Sequence, residues 1–154
     1  MKDAYIPVSR EQGRFLYQTA RAIGARTIVE FGTSFGISAI YLAAAVRDNG
    51  GHFIGTEKEM NKVEGARRNL AEAGLAAVAE VKAGDALETL AALSGPVDMV
   101  LLDGWKDLYL PVLRLLTPKL RPGAVVMADN IYTFRKGLKP YVDFVQAPEK
   151  VLFR

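Results

Sequence analysis

The sequence predicts a single α/β domain in which helices cover both faces of a doubly wound, mostly parallel β-sheet. Two observations lead to this prediction. Short apolar runs alternate along the whole chain with longer segments of helical periodicity. The chain is also 154 residues long, which suits one domain, spanning residues 1–154, and leaves no room for two. We find no internal repeat, low-complexity tract or linker that would divide it.

Five runs have the length and composition of buried strands. They lie at residues 27–31, 52–56, 78–81, 97–102 and 124–128. The first of them, Thr-Ile-Val-Glu-Phe, is typical because β-branched and aromatic residues favour strands. A sixth strand could begin at 151–153, close to the last residue of the chain. The segment at 121–123 contains proline and glycine and is predicted to be a turn.

Helical patterns precede the first strand and fill the connections. Ser9 resembles an N-cap whose capping box is completed by Gln12, and Gly24 can end that helix. The remaining helices are predicted at 37–46, 60–74, 86–93, 108–116 and 137–146. The apolar face of the first helix is predicted to consist of Phe15, Leu16, Thr19, Ala20 and Ile23. Pro111 falls in the first turn of its helix, where proline is tolerated.

Composition excludes several classes of function. There is no cysteine, hence no disulfide and no thiolate metal site, and the single histidine, His52, excludes a multi-histidine site. A metal would therefore need oxygen ligands, which favours Mg²⁺ or Ca²⁺. The net charge of +3 is a small excess, so we expect no nucleic-acid partner. Because no apolar run is long enough to cross a bilayer and no signal peptide is evident, we expect a cytoplasmic protein.

Polar residues collect where the predicted strands end, which is where doubly wound sheets bind ligands. The first strand leads into Glu30 and a glycine-containing loop, in which Gly32 and Gly36 let the backbone approach a ligand and Ser34 and Ser38 offer hydroxyls. This loop lacks the G-x-G-x-x-G fingerprint of nicotinamide dinucleotide enzymes. The same residues are equally typical of a helix start, so both interpretations stay open.

The second and third strands also lead to acids. Glu57 can accept both ribose hydroxyls of a nucleoside, or it can be a carboxylate favoured at a helix start, a role for which Glu59 is a rival. Asp85 can meet an adenine amino group, or it can cap the helix that begins at Ala86. A single acid at the end of a strand is commonplace. Acids after four strands, together with the glycine loop, are a more specific indication of a ligand-binding site.

The ends of the fourth and fifth strands predict a second cluster. Asp103, Asp129 and Asn130 can converge, since these strands are neighbours in such sheets, and three oxygen ligands suit Mg²⁺. The alternative is that Asp103 caps a helix and that Asp129 and Asn130 form a turn. Lys106 follows closely and, beside a cation, would have a lowered pKa and could act as a general base. Trp105 could stack on a flat ring or simply pack beneath the loop.

Residues 29–39 (VEFGTSFGISA) resemble the first motif of class I S-adenosylmethionine-dependent methyltransferases. Residues 98–110 (DMVLLDGWKDLYL), together with the Ala-Asp-Asn at 128–130, are similar to the catechol O-methyltransferase branch of that family. The resemblance covers residues 9 to 146 approximately. It implies a Rossmann-like methyltransferase fold and transfer of a methyl group to a hydroxyl of a small catechol-like acceptor, assisted by a divalent cation.

The resemblance also implies a role for individual residues. Lys106 would take the proton from the attacking hydroxyl, and a divalent cation such as Mg²⁺ would be bound by Asp103, Asp129 and Asn130. Glu57 would hold the ribose of S-adenosylmethionine, and the first loop would hold its methionine part. The full set of implied cofactor-binding residues is Glu30, Gly32, Thr33, Ser34, Gly36, Ser38, Glu57, Asp85, Ala86, Asp103 and Trp105.

The chain departs from the family pattern in two ways. Gly104 stands where the animal catechol enzyme has a histidine. The family sheet has seven strands, and the 24 residues after Asn130 are too few for the last two, which we expect to be shortened or missing. The uncovered fifth strand then predicts self-association, as a homodimer through its edge or the C-terminal segment, or else low stability with a mobile tail.

Three rival functions remain at this point. A shortened relative could bind the cofactor with little or no turnover, and the missing strands favour that alternative. The intact set of Asp103, Lys106, Asp129 and Asn130 opposes it. Some members of the family methylate hydroxylated tRNA bases. The slight positive charge of this chain does not decide whether it shares that substrate. A nicotinamide-dependent oxidoreductase shares the sheet but needs the absent fingerprint.

Overall fold

A computed structural model gives the structure of the protein and describes residues 7–147. Within this part of the chain, five strands form one sheet in the order β3-β2-β1-β4-β5, with every neighbouring pair parallel. The strands are β1 (Thr27–Phe31), β2 (His52–Glu57), β3 (Ala79–Ala83), β4 (Val97–Leu102) and β5 (Leu120–Ala128). The chain moves outward from β1 in both directions, which confirms the predicted doubly wound sheet.

Helices cover both faces of this sheet. They are α1 (Arg10–Ala22), α2 (Ile37–Asn49), α3 (Met60–Glu72), α4 (Ala86–Thr89), α5 (Tyr109–Leu116) and α6 (Arg135–Gln146). Successive strand side chains point to opposite faces, so Ile28 packs with α1, α2 and α3 while Val29 packs with α4, α5 and α6. All six residues of β4 are buried, because this strand lies inside the sheet and beneath both helical layers.

The first helix begins as predicted but does not bury its whole apolar face. The capping box is formed, since the N–H of Ser9 donates to Gln12 Oε1 (2.8 Å) and the N–H of Gln12 donates to Ser9 Oγ (3.1 Å). Leu16 and Ala20 are buried, whereas Phe15 is 58% exposed, contrary to the prediction. Phe15 lies on a shallow groove with Met127 of β5, where the sheet edge leaves the helix uncovered.

The fifth strand is longer than the sequence predicted. It begins at Leu120, so the residues predicted as a turn, 121–123, belong to the strand. Pro122 is tolerated there because β5 is an edge strand, and the register shifts between Val97 and Met99 of β4 opposite. Arg121 anchors the segment through its Nε–H bond to Asp98 (2.5 Å).

Other boundaries differ by a few residues. The short helix predicted to reach residue 93 ends at Thr89, and the helix predicted from residue 108 is preceded by a 3₁₀ turn, Lys106–Leu108. The remaining shifts extend the second helix, the last helix and the second strand, end the third helix at Glu72 and move the third strand to 79–83. These are end effects of the kind that periodicity alone does not resolve.

The predicted sixth strand at 151–153 lies outside the described residues. Within residues 7–147, β5 has a single sheet neighbour, β4, and its residues 124–128 are all partly exposed. In the same residues, no helix has both the length and the apolar composition needed to span a membrane.

Candidate active site

A cleft of about 440 Å³ opens at the carboxyl ends of β1, β2 and β4. Most of the residues singled out from the sequence line it. These are Gly32, Thr33, Ser34, Ser38, Glu57, Asp85, Ala86, Asp103, Trp105, Lys106 and Asn130. Three do not: Glu30 is buried, Gly36 is the residue before α2, and Asp129 lines the groove beside Phe15. The strand-end positions thus converge on one concave surface, as the topology requires.

The loop after β1 is held in a conformation that ordinary residues rarely adopt. Gly32 has φ +85° and Ser34 has φ +51°. The N–H groups of Gly32 and Thr33 both donate to the carbonyl of Thr56 (3.1 Å each), which ties the loop to the end of β2. The sequence signal was the glycine at residue 32, because a left-handed φ carries no steric cost there.

Gly36 has an additional, structural reason to be glycine. It precedes α2 with φ +88°, and a Cβ at this position would lie 3.2 Å from the Cα of Ala66 in α3. The contact explains the residue through helix packing. A contact between Gly36 and a ligand remains a prediction.

Glu30 is a carboxyl group buried at the base of the cleft. It is fully inaccessible, and burial raises its pKa to about 8, while a hydrogen bond donated by the Ser38 hydroxyl opposes the rise. Among the described residues, its second oxygen and the hydroxyl of Thr33 find no hydrogen-bond partner. The Thr33 hydroxyl is close enough to this carboxyl to oppose the rise in its pKa as well, and Glu30 does not reach the surface of the cleft.

Glu57 is anchored by the backbone. Its Oε2 accepts from the N–H of Ser34 (2.8 Å), and its Oε1 accepts from those of Lys58 (2.9 Å) and Glu59 (3.1 Å). The carboxylate therefore bridges the first loop and the segment that leads into α3. Both interpretations of Glu57 survive, since it stabilises the approach to α3 and also lines the cleft in a fixed orientation.

Asp85 caps α4, as its alternative interpretation predicted. Its Oδ1 accepts from the N–H of Leu87 (2.8 Å), which satisfies one of the free donors of the first turn. Asp85 and Ala86 also line the cleft. The cap does not occupy both carboxylate oxygens, so a contact between Asp85 and a ligand remains compatible with this geometry.

Asp103, Asp129 and Asn130 come together at the ends of β4 and β5. Asn130 Nδ2 lies 3.4 Å from Asp103 Oδ1, and the N–H of Asn130 donates to Asp129 Oδ1 (2.7 Å). Asn130 has φ +63°, a conformation that asparagine tolerates better than most residues. Burial raises the pKa of Asp103 to about 7, the negative charge of Asp129 adds to the rise, and Lys106 opposes it.

Lys106 faces this pair of acids from the 3₁₀ turn after β4. Its Nζ donates to the hydroxyl of Tyr109 (2.7 Å) and lies 5.4 Å from the centre of the Phe134 ring. Burial lowers the pKa of Lys106, and the carboxylates of Asp103 and Asp129 oppose that change. Trp105 is 62% exposed at the rim of the cleft, so it is not the packed residue that its alternative interpretation predicted.

Gly104 is explained by its neighbours. A Cβ there would lie 2.5 Å from two ring carbons of Phe31, and a Cβ on Gly32 would collide with the Cα of Gly104. The two glycines therefore let the first loop and the end of β4 pass in close contact. A histidine at residue 104 would require Phe31 to move, which accounts for the departure from the family pattern.

Sequence reasoning missed two residues of this site. Tyr109 is fully buried beneath Lys106, and its hydroxyl also donates to the carbonyl of Asp129 (3.1 Å). Phe134 lines the cleft from the segment before α6. Tyr109 could have been found, because residues three apart in a helical turn share a face. Phe134 carried no such signal, since its position depends on how the chain folds back after β5.

Burial also raises the pKa of Tyr109 far above its usual range, so its hydroxyl stays neutral. Within residues 7–147, no group of three or more His, Cys, Asp or Glu side chains is gathered as a metal site would require. The set at the ends of β4 and β5 consists of two carboxylates and one amide, Asp103, Asp129 and Asn130.

The fold and this cleft define a class of protein, the methyltransferase domains. The family model described as "Methyltransferase domain" matches residues 29–131, which run from β1 to just beyond Asn130. The match spans more than half of the chain, and the chain belongs to this family.

Two curated proteins with sequences similar to this chain are both catechol O-methyltransferases. The chain is 39% identical over 127 residues to a catechol O-methyltransferase of Mycobacterium tuberculosis, covering 82% of this chain and 57% of that protein. It is 34% identical over 130 residues to a catechol O-methyltransferase of Niastella koreensis, covering 82% and 58%. The chain thus spans somewhat over half the length of these curated relatives.

Solved structures agree with these relatives. An O-methyltransferase of Streptomyces achromogenes, involved in tomaymycin synthesis and solved in complex with S-adenosylmethionine, superimposes with a TM-score of 0.85 at 32% identity. That similarity covers 94% of this chain and 71% of the other. An O-methyltransferase of Bacillus cereus, solved with S-adenosylhomocysteine, gives a TM-score of 0.85 at 28% identity, covering 96% and 73%.

Proposed function

We propose that the protein transfers a methyl group from S-adenosylmethionine to a hydroxyl of a small catechol-like acceptor, assisted by a divalent cation. The observation that carries this proposal is the convergence of Asp103, Lys106 and Asn130 in one cleft with the glycine loop after β1. The names of the two curated relatives support the acceptor class, and the structure solved with S-adenosylmethionine supports the cofactor.

The first loop fits the methionine part of the cofactor. Gly32 lines the cleft and gives the loop its left-handed conformation. Ser34 offers a hydroxyl, and the hydroxyl of Ser38, which donates to Glu30, can still accept a hydrogen bond. Thr33 lines the cleft and would contact the ligand, while the buried carboxyl of Glu30 would act through the Ser38 hydroxyl that donates to it. S-adenosylmethionine supplies the methyl group on a sulfonium. The task of the loop is to bind and orient that ligand.

The nucleoside part would lie further along the strand ends. Glu57 is held by three backbone N–H groups, so its carboxylate is already oriented when the ribose hydroxyls arrive. Asp85, Ala86 and Trp105 would border the adenine. An anchored carboxylate loses little side-chain entropy on binding, which is a favourable property in a recognition residue.

The donor set at the ends of β4 and β5 fits a hard divalent cation. Asp103, Asp129 and Asn130 present carboxylate and amide oxygens, the ligands that Mg²⁺ prefers. Burial and the neighbouring acid raise the pKa of Asp103, a cost that a bound positive charge would relieve. When bound there, a divalent cation would lower the pKa of an acceptor hydroxyl and orient it.

Lys106 would remove the proton of that hydroxyl. Its lowered pKa brings a larger share of the side chain into the neutral form that can accept a proton. The half-buried position of Lys106 limits water around the reacting oxygen. Phe134 would flank a flat aromatic acceptor, since its ring is exposed on the lining of the cleft.

The test is a methyl-transfer assay over a panel of catechols, with Mg²⁺ and with EDTA, beside calorimetry with S-adenosylmethionine and with NADH. We expect cofactor binding, methylation that needs the cation, and a loss of kcat of about 10²–10⁴-fold in Lys106→Ala with cofactor affinity unchanged. Binding without turnover would favour the cofactor-binding alternative. Turnover that survives EDTA would contradict the role of the cation.

A further inference from the structure

The hydroxyl of Tyr109 connects Lys106 to the backbone of the neighbouring strand. Lys106 Nζ donates to Tyr109 Oη over 2.7 Å, and Tyr109 Oη donates to the carbonyl oxygen of Asp129 over 3.1 Å. A tyrosine has a single O–H to donate. Because that hydrogen is directed to the carbonyl, the hydroxyl can only accept from Lys106, and the order of the two bonds is fixed.

The ring that carries this hydroxyl is held from two sides. Phe31 of β1 and Tyr141 of α6 contact it edge to face, with ring centres 6.2 Å and 5.7 Å away. Tyr109 is fully buried, so its hydroxyl is placed by the core of the domain and not by the local loop. Aromatic side chains have few rotatable bonds and are well suited to holding a polar atom in one place.

Lysine needs such a partner more than most residues. Its flexible stem of four carbons loses substantial rotamer entropy when the ammonium is fixed. Lys106 Nζ also lies near the ring centres of Tyr109 (4.7 Å) and Phe134 (5.4 Å), and the attraction of a cation to a ring is broad in direction. Among these contacts, only the bond to Tyr109 Oη is directional.

We propose that Tyr109 is the positioning residue of Lys106, holding Nζ at a fixed place relative to the end of β5 through its hydroxyl. In the neutral amine, one N–H remains on Tyr109 Oη, so the lone pair is turned away from the tyrosine. The inference rests on the proposed function, in which Lys106 accepts the proton of the acceptor. Tyr109 itself exchanges no proton in this scheme and is not a catalytic residue.

The test is Tyr109→Phe, which deletes the hydroxyl and keeps the ring. We expect kcat for a catechol to fall about tenfold, with the KM values for catechol and S-adenosylmethionine changed less than twofold. The decisive readout is the same substitution in a Lys106→Ala background, where we expect no further loss. Tyr141→Phe is the matched control, because it deletes a hydroxyl from the ring that packs on Tyr109, and it should keep kcat.

Each result supports or overturns the inference. An unchanged kcat in Tyr109→Phe, or an equal loss with and without Lys106, overturns it while the proposed function stands. A wild-type protein that methylates no catechol with any divalent cation refutes the proposed function, and the inference is lost with it. A rise in KM with kcat intact would instead assign Tyr109 to substrate binding and also overturns the inference.

A second measurement covers a variant that does not fold. Tyr109→Phe removes two hydrogen bonds but keeps the packed ring, so we expect the variant to fold and to bind S-adenosylmethionine normally in calorimetry. If it does not, ¹⁵N NMR of the wild-type lysine ammonium groups addresses the same contact, with Lys106→Arg identifying the signal. Slow hydrogen exchange at Lys106, compared with exposed Lys136, supports the bond to Tyr109, and equally fast exchange overturns it.

Discussion

The β1–β3 side of the cleft and its β4–β5 side hold their acids in different ways. On the first side, the carboxylate of Glu57 accepts three backbone N–H groups. On the second side, Asp103 faces Asp129 and Lys106, and burial with the nearby negative charge raises its pKa to about 7. On the first side the carboxylate is satisfied by backbone donors, whereas on the second side two carboxylates lie near one cationic side chain, Lys106.

The two outer edges of the sheet also differ, because one carries charged side chains and the other is apolar. The edge strand β3 carries two charged residues, Glu80 and Lys82, which discourage pairing with another strand. The edge strand β5 presents the apolar run Val125 to Met127, partly exposed. In residues 7–147, β5 has no second sheet neighbour. One edge is therefore protected by charge, and the other presents a partly exposed apolar surface.

The largest effect is expected from Asp129→Ala on the β4–β5 side. If Asp103, Asp129 and Asn130 bind a cation, the rate of metal-dependent transfer should fall roughly a thousandfold or more. The reason is that the cation stabilises the charge developing in the transition state by several kcal/mol. Calorimetry should show S-adenosylmethionine affinity within about twofold of wild type. Asp107→Ala, which removes an exposed acid of the neighbouring turn, is the control and should keep its rate. Equal rates in both variants would remove Asp129 from the site.

The matching change on the β1–β3 side is Glu57→Ala. Charge-assisted hydrogen bonds contribute about 1.5–3 kcal/mol each, so affinity for S-adenosylmethionine should fall at least about tenfold. The thermal midpoint should fall too, since three backbone N–H groups lose their acceptor. Glu59→Ala serves as the control for a general change of charge. Unchanged affinity by calorimetry in Glu57→Ala would exclude Glu57 from the cofactor site.

The buried carboxyl of Glu30, between the two sides of the cleft, should make the stability of the protein depend on pH. Its pKa is raised from 4.5 to about 8, so it contributes stability that is fully present below about pH 4.5 and is lost as pH rises through 8. A pKa difference of one between the folded and unfolded states corresponds to roughly 1.4 kcal/mol of stability. Glu30→Gln should therefore be more thermally stable than wild type at pH 9, and the two proteins should differ little at pH 5. Exposed Glu88→Gln is the control. A pH-independent difference would contradict a neutral Glu30.

The smallest effect concerns the edges. We propose that the chain self-associates through β5, and light scattering at several concentrations should show a mass that rises with concentration. Ala124→Lys would give β5 a charge like that of Lys82 on β3 and should reduce association severalfold. A protein that stays monomeric at every concentration would contradict self-association. A low thermal midpoint of that monomer would agree with the alternative prediction of low stability, and a high one would contradict both.

Much of the fold could be predicted from sequence because its signals are local. The apolar runs at 27–31 and 97–102 gave two strands with the observed bounds, and the Ser9–Gln12 capping box gave the start of α1. The turn predicted at 121–123 was wrong. Proline and glycine usually end a strand, but on an edge strand Pro122 needs no ladder donor, and Arg121 holds the segment to Asp98 of the neighbouring strand β4.

The candidate site was predictable in its members more than in its geometry. Parallel strands place their carboxyl ends on one edge, so Glu57 and Asp103 were expected to line one cleft, and they do. The sequence did not reveal that Glu30 is fully buried, nor that Trp105 is exposed at the rim. Those properties depend on which helix or loop covers each residue, which no local pattern records.

By itself, the sequence determined the alternation of strands and helices, the acids at the strand ends and the glycine loop after β1. Each of these follows from local preferences of the backbone and from side-chain periodicity. Only the tertiary structure decided that Phe31 fills the space beside Gly104 and that Tyr109 lies between Lys106 and the carbonyl of Asp129. These contacts join residues from different elements, and distances between such residues are set by the packing of the whole core.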